Sequence, residues 1–327
     1  MVKKIDWERQ ISRRLRLRDL HVFFTVAQCG SMAAAAAQLE VSTPTVSEVI
    51  ANLEHGIGVR LLDRSPKGVE LTRYGHALLK RTLVVFDELK QGIRDIEHLE
   101  DPTSGEIGIA SPLAIAFTVI PHVFERFAKI YPRVILHFDE VASASATRDF
   151  RDLRDRKYDL IVGRGGPPQP EESSSVSDLT VEPLFDDQLV IAAGARNKWV
   201  ARRRKIDLEE LVDEPWILQP PHSWNYRVLS DACRARGLAM PRASLVTLSM
   251  SVITHFLEGG QYITAMPRSV AYFKSLKVLP VDLPPRPWPV NIVTLRNRTL
   301  SPVVERFIEC AREFTRPMRE GRLPPKR

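Results

Sequence analysis

Cysteine is scarce in this 327-residue chain: Cys29, Cys233 and Cys310 lie far apart, with no CxxC pair and no histidine at ligand spacing. That excludes a disulfide framework and a zinc site, and leaves buried free thiols as the expectation. Long apolar runs are missing as well. No stretch approaches the roughly 20 apolar residues of a membrane span, and the opening MVKKIDWERQISRRLRLRD lacks the apolar core of a secretion signal. A cytoplasmic protein with no membrane partner is expected. GxGxxG, P-loop, GxSxG and HExxH are absent, and the eight histidines are scattered without a carboxylate or thiol at useful spacing. Nothing calls for a catalytic residue, a metal or a cofactor.

What is present is apolar material and unevenly placed charge. Apolar residues make up 44% of the chain, enough for two or three domains with real cores. Net charge is +7, which hints at a polyanionic partner. Residues 1–81 hold 13 Lys/Arg against 8 Asp/Glu, whereas residues 82–101 hold 2 against 6. The positive charge therefore belongs to the N-terminal part. A second basic cluster closes the chain, from Arg312 through GRLPPKR, and residues 316–327 read as a frayed, solvated tail.

In the N-terminal part Leu17, Leu20, Phe24 and Ala27 recur at helical spacing, so a first amphipathic helix is expected from Leu17 to Gln28. Ser31 is an N-cap residue, and Met32 to Gln38 follows as a short helix of alanines whose small side chains let another helix approach. After a turn, Ser42 caps again and Pro44 falls in the first turn of a third helix, where a missing N–H costs little. Val46, Val49, Ile50 and Leu53 form its apolar stripe. Its other face carries Pro44, Thr45, Ser47, Glu48, Ala51 and Asn52, mostly short and polar. Two helices joined by a tight turn, the second with a compact polar face, suit a DNA major groove. Two ordinary helices of an all-α core fit that pattern equally. The following GIGVRLLDRSPKGVELTRYG reads as a β-wing: strands Val59 to Asp63 and Val69 to Thr72, with Arg64 and Lys67 at the tip, placed to meet phosphates.

The run LRDLHVFFTVAQCGSMAAAAAQLEVSTPTVSEVIANLEHGIGVRLLDRSPKGVELTRYGHALL closely resembles the winged helix-turn-helix domain of the LysR-type transcriptional regulators. Phe23, Gly30-Ser31, Ala35-Ala36, Leu39, Val41-Ser42, Pro44, Val46-Ser47, Ile50, Leu53-Glu54, Gly58-Val59, Leu61-Leu62, Arg64, Leu71-Thr72 and Gly75 match its motif over more than sixty residues. The resemblance implies that Ser31, Ser42, Thr43, Pro44, Thr45, Ser47, Glu48, Arg64 and Lys67 face DNA. Two positions depart from the family's usual Ser-Gln-Pro-Ala-Val-Ser-Arg: the frequent Gln is Thr43 and the frequent Arg is Glu48. Glu48 either accepts from a cytosine N4 or faces water and weakens affinity.

From Thr72, an N-cap candidate, Leu78, Thr82, Val85, Leu89, Gly92, Ile96 and Leu99 alternate four and three apart, a heptad seam. A helix pairing with a second copy is expected, with Leu78, Val85, Leu89 and Ile96 in the contact. Asp101-Pro102-Thr103-Ser104-Gly105 breaks it. The domains expected are a winged helix-turn-helix over 1–75, a linker helix over 76–101 and an effector domain over 105–315. Within the last, subdomain I spans about 105–184 and 286–315, and subdomain II about 185–285.

Strand and helix alternate beyond the break, which predicts mostly parallel sheets flanked by helices. GEIGIAS, VILHFDEV, YDLIVGRG, LVIAAG, WILQP, SLVTL, YITAMP and WPVNIVTL read as strands. Helices are expected over Pro121 to Ile130, Thr147 to Lys157, Ser223 to Arg236, after Ser249 and over SPVVERFIECAREF, with a Pro/Ser-rich surface loop from Gly165 to Ser177. The α/β fold with two subdomains resembles the periplasmic-binding-protein-like effector domain of the same family. Ligands in such sheets sit at the carboxyl ends of strands, here Ser111, Pro112, Arg164, Gln219, Ser223, Ser249 and Met266. A small organic acid is the expected effector, the serines donating and Arg164 supplying charge. Each serine could equally be an N-cap, and Arg164 could pair with a neighbouring carboxylate.

The resemblance implies a sequence-specific regulator that binds promoter DNA as a homodimer or homotetramer, and leaves RNA polymerase open as a further partner. Two other functions remain in view: an enzyme or solute carrier built on the α/β portion, and a nucleoid protein binding DNA without sequence preference. No catalytic motif or secretion signal favours the former, and the latter needs no effector domain of roughly 200 residues.

Overall fold

The computed structural model describes residues 15–65, 68–141, 150–164, 177–286 and 288–324. Two compact units divide the chain, Met1–Gly92 and Ile93–Arg327.

The first unit opens with α1 (Leu17–Cys29), α2 (Met32–Gln38) and α3 (Thr43–Ile57). Both predicted caps form: the Ser31 hydroxyl accepts from Ala34 N at 3.4 Å and the Ser42 hydroxyl from Thr45 N at 3.3 Å. Phe23, Val26, Ala35, Val46 and Ile50 are fully buried in one core, so the alanines do bring α2 against its neighbours. The wing is β1 (Leu62–Ser65) paired antiparallel with β2 (Gly68–Leu71).

The first wing strand starts later than the predicted Val59 to Asp63. Glu54 of α3 explains the shift: its carboxylate accepts from the Leu61 and Leu62 amides at 2.7 and 3.1 Å, holding the entry to the strand against the helix. Arg64 consequently lies within β1, opposite Val69, rather than at the tip. Lys67 lies outside the described residues.

Helix α4 (Arg73–Glu100) follows, capped by the Thr72 hydroxyl, which accepts from Gly75 N at 3.1 Å. Gly75 is required by close approach, since a Cβ there would lie 2.1 Å from the Leu61 carbonyl oxygen. The unit boundary falls within α4. Leu78 packs against the core of its own unit and Thr82 is buried, so the first seam positions are used internally. Val85, Leu89, Ile93, Ile96 and Leu99 instead form an exposed apolar stripe, Leu99 being 82% exposed.

The second unit continues through β3 (Ser104–Pro112), α5 (Leu113–Ala116), α6 (Val119–Ile130), β4 (Arg133–Val141), α7 (Arg151–Arg154), β5 (Leu160–Arg164) and β6 (Leu179–Asp187). Then come β7 (Leu189–Ala193), β8 (Trp216–Leu218), α8 (Trp224–Arg234), β9 (Ala243–Val246), α9 (Met250–Glu258), β10 (Ile263–Pro267), α10 (Arg268–Phe273) and β11 (Lys277–Val278). β12 (Trp288–Leu295) and α11 (Pro302–Arg319) return to the first sheet, as the sequence suggested.

Strand order is β4-β3-β5-β12-β6 in one sheet and β11-β7-β10-β8-β9 in the other. Both are mixed rather than mostly parallel. β3, β4 and β5 run together, whereas β12 is antiparallel to β5 and β6 because it re-enters from the second subdomain. β6 was overlooked by the sequence reading, as were the short α5, α10 and β11, and it moves the crossing between subdomains to Asp187-Gln188. Of the predicted 147–157 helix, only the single turn α7 is helical among the described residues, and residues 142–149 and 165–176 lie outside them. No helix among the described residues is long and apolar enough to cross a membrane.

Candidate functional site

Two places in the chain concentrate chemistry. The first is the outward face of α3. Thr43, Pro44, Glu48, Ala51 and Asn52 are exposed, Thr45 and Ser47 half-buried, while Val46, Ile50 and Leu53 are buried behind them. The Ser42 and Thr45 hydroxyls bond each other at 2.8 Å, which fixes both at the helix N-terminus. Glu48 has no hydrogen-bond or ion-pair partner among the described residues, so a free carboxylate stands in the middle of this face. Arg64 is exposed on the wing. Ser31 is committed to capping α2.

The second place is where the two sheets of the second unit meet. Registers put the carboxyl ends of β3, β5 and β6 at one edge, where β12 begins: Trp288 lies opposite Asp187, and Val290 opposite Arg164. β8 and β10 end toward the start of β7, with Pro267 opposite Leu189. Strand ends of both sheets therefore gather around the Asp187-Gln188 crossing.

At its centre Arg164 and Asp187 form an ion pair of 2.9 Å with side chains only 4% and 3% exposed. Asp187 also accepts from Gln188 N at 3.0 Å, Ser269 N at 3.1 Å and the Ser269 hydroxyl at 2.5 Å. One carboxylate therefore joins β5, the crossing strand and the start of α10. The Arg164 guanidinium lies 4.3 Å over the Trp288 ring, which stacks on Trp224 at 3.9 Å between centroids. Burial pushes the Arg164 pKa down, and the charge and hydrogen bond of Asp187 oppose that. Arg164 Nε and Nη1 are buried and have no hydrogen-bond partner among the described residues. These two nitrogens lie on different edges of the guanidinium, both of which share the Nη2 already given to Asp187, so two separate donors rather than one forked pair are left over.

The other expected cleft residues divide. Ser111 is fully buried and donates to the Val162 carbonyl at 2.7 Å, tying β3 to β5. Pro112 precedes α5 as its N-cap residue. Gln219 is buried just beyond β8. Ser223 accepts from Tyr226 N at 3.2 Å and so acts as the N-cap that local sequence allowed. Ser249 bonds the Ser251 hydroxyl at 3.0 Å and does not cap α9. Met266 is packed in a core with Ile217, Met250 and Leu257, β10 being buried on both faces. Asp187, Ser269, Trp224 and Trp288 were missed. The only signal for Asp187 was its place between two strands, one of them unrecognised.

All three cysteines are free, Cys233 and Cys310 buried and Cys29 half-buried. Among the described residues no cluster of His, Cys, Asp and Glu could hold a metal.

Comparison with known proteins supplies the frame. Residues 17–76 match the model for the bacterial regulatory helix-turn-helix protein, lysR family, and residues 100–316 match the LysR substrate binding domain. The HTH-type transcriptional regulator TdcA of Escherichia coli (strain K12) is 26% identical over 252 residues, 77% of this chain and 77% of that protein. HTH-type transcriptional regulator TfdS of Cupriavidus pinatubonensis is 28% identical over 308 residues, 91% and 98% of the two chains. Among solved structures, full-length OxyR from Pseudomonas aeruginosa superposes with a TM-score of 0.60 at 22% identity, covering 92% of this chain and 95% of that one. At that identity the likeness shows the fold.

Proposed function

Because this chain belongs to the LysR family of bacterial regulatory proteins, with an N-terminal helix-turn-helix and a substrate-binding domain, we propose that α3 enters the major groove of an operator and that the Arg164 cleft receives the effector. The chain is a DNA-binding transcriptional regulator. The observation that carries the groove assignment is the exposed polar face of α3, set on a core that buries the opposite stripe. Thr43, Pro44, Thr45, Ser47 and Glu48 meet base edges and flanking phosphates there, and Arg64 approaches the backbone from the wing.

The effector is a small organic anion. Support comes from Arg164 Nε and Nη1, which have no hydrogen-bond partner among the described residues and can each donate to an anionic oxygen. The Trp288 and Trp224 rings beside it suit a flat or apolar body on that anion. An effector that competes with Asp187 for Arg164 would loosen the joint between β5, the crossing strand and α10.

Footprinting with purified protein at physiological salt, guided by genome-wide binding in the native cell, tests the reading. Discrete two-fold symmetric footprints tens of base pairs long are the expected result. Uniform occupancy, with affinity set by salt alone, would replace it with non-specific DNA packaging.

The regulator acts as a dimer through the α4 stripe, each apolar side chain there contributing about 1.5–3 kcal/mol if fully buried. Substituting Leu89 and Ile96 by aspartate should therefore shift the sedimentation coefficient to that of a monomer and abolish two-fold footprints. An unchanged oligomer would assign the contact to another surface.

A further inference from the structure

We propose that Asp159 and Arg94 form the strut that carries a change in the Arg164 cleft to helix α4. The inference rests on the cleft being the effector site, as proposed above. Asp159 immediately precedes β5 and its side chain is 5% exposed. Its Oδ2 accepts from Gly108 N at 2.7 Å, and its own amide donates to the Gly108 carbonyl at 2.8 Å, fixing the carboxylate to β3. Its Oδ1 takes two cations, Arg298 Nη2 at 2.9 Å and Arg94 Nη1 at 3.3 Å. Arg298, 2% exposed, also donates to the Tyr158 carbonyl at 2.8 Å.

One buried carboxylate needs one cation and a hydrogen bond. Arg298 and the Gly108 amide already provide both. Arg94 is surplus to that need: it is farther away, 15% exposed, and comes from α4 rather than from the sheet. Its distinctive effect is to attach the last turns of α4 to the root of β5.

β5 makes that attachment informative. All five of its residues, Leu160–Arg164, are buried, and the strand is zipped between β3 and β12. At about 3.3 Å per residue, Asp159 and Arg164 stand roughly 16 Å apart at opposite ends of one bar. A close-packed strand shifts as a body rather than bending. The Ser111 hydroxyl on the Val162 carbonyl couples β3 into the same movement. Rearrangement of the Arg164, Asp187 and Ser269 joint therefore arrives at Asp159, and α4 responds because Arg94 holds it there.

The test uses the full chain and needs neither effector nor operator. Hydrogen exchange over residues 93–100 is compared after altering the cleft by Ser269→Ala, and separately by Asp187→Asn, each with and without Arg94→Gln. In the parent background either cleft change should alter exchange over 93–100 by at least about fivefold, the lower end of typical coupling between sites. With Arg94→Gln that response should vanish while residues 187–190 and 268–272 still respond, which also shows that the variant is folded. A response over 93–100 that persists undiminished without Arg94 overturns the strut, as does silence there in the parent while the cleft segments respond. Failure of the effector reading shows differently: a ligand found by screening would release operator equally from the parent and from an Arg164→Gln chain.

Discussion

Arg164→Met is expected to destabilise the second unit by about 3–5 kcal/mol, the usual penalty for orphaning one member of a buried ion pair. The shorter methionine keeps the apolar stem but removes the guanidinium that lies over Trp288, so a lost cation–π contact adds to the penalty. What remains is Asp187, 3% exposed and stripped of its cation. Its Gln188 and Ser269 donors stay in place and limit the damage without cancelling it. The double variant Arg164→Met with Asp187→Asn removes the lone charge and should recover most of the loss, a coupling that a double-mutant cycle measures directly. Urea unfolding followed by tryptophan fluorescence is the natural assay, because Trp288 and Trp224 stack beside the guanidinium. A loss below about 1 kcal/mol, typical of a surface pair, would mean that water reaches the cleft and that the pair is no latch.

The same pair shows where sequence reasoning ended. Arg164 was found because it closes an apolar strand, a local pattern. Its partner Asp187 closes β6, and β6 was invisible: TVEPLFDD carries a proline, two terminal acids and no clean alternation. The structure explains why that sequence is tolerated. β6 is the outer strand of its sheet, with a register shift opposite Val290/Asn291, and an edge strand accepts Pro183 without losing an interior ladder bond. The N-terminal unit was legible almost to the residue, since Ser31, Ser42 and Thr72 cap their helices through contacts three residues away. The wing was misplaced because Glu54 reaches seven residues forward to hold Leu61, a tertiary contact with no local signature. Met266 failed for a different reason. β10 is buried on both faces, Ile263 and Ala265 in one core and Met266 in the other, so a strand-end position there does not place a side chain in the open.

Glu48 leads to the other large effect. It is exposed on α3 with no partner among the described residues, so bringing that face to DNA, as proposed, sets a carboxylate against the phosphate field. Glu48→Arg reverses the charge at this point in both heads of a dimer. Each phosphate newly neutralised steepens the dependence of log affinity on log salt by about 0.9, so a dimer should steepen by about 1.8. Binding to random-sequence DNA should tighten accordingly at low salt, read by fluorescence anisotropy across a salt series. Operator preference discriminates between the two roles open to Glu48. If the carboxylate only repels, Glu48→Gln tightens binding to every half-site variant alike. If it accepts from a cytosine N4, Glu48→Gln loses about 1–3 kcal/mol of discrimination at one base pair and none elsewhere. The absence of a partner for it among the described residues favours uniform tightening: a carboxylate held for base reading gains from a neighbour that fixes its rotamer, and neither Ser47 nor Asn52 bonds it. A preference for cytosine confined to one position and erased by Glu48→Gln would reverse that conclusion and make this acid the residue that distinguishes the operator.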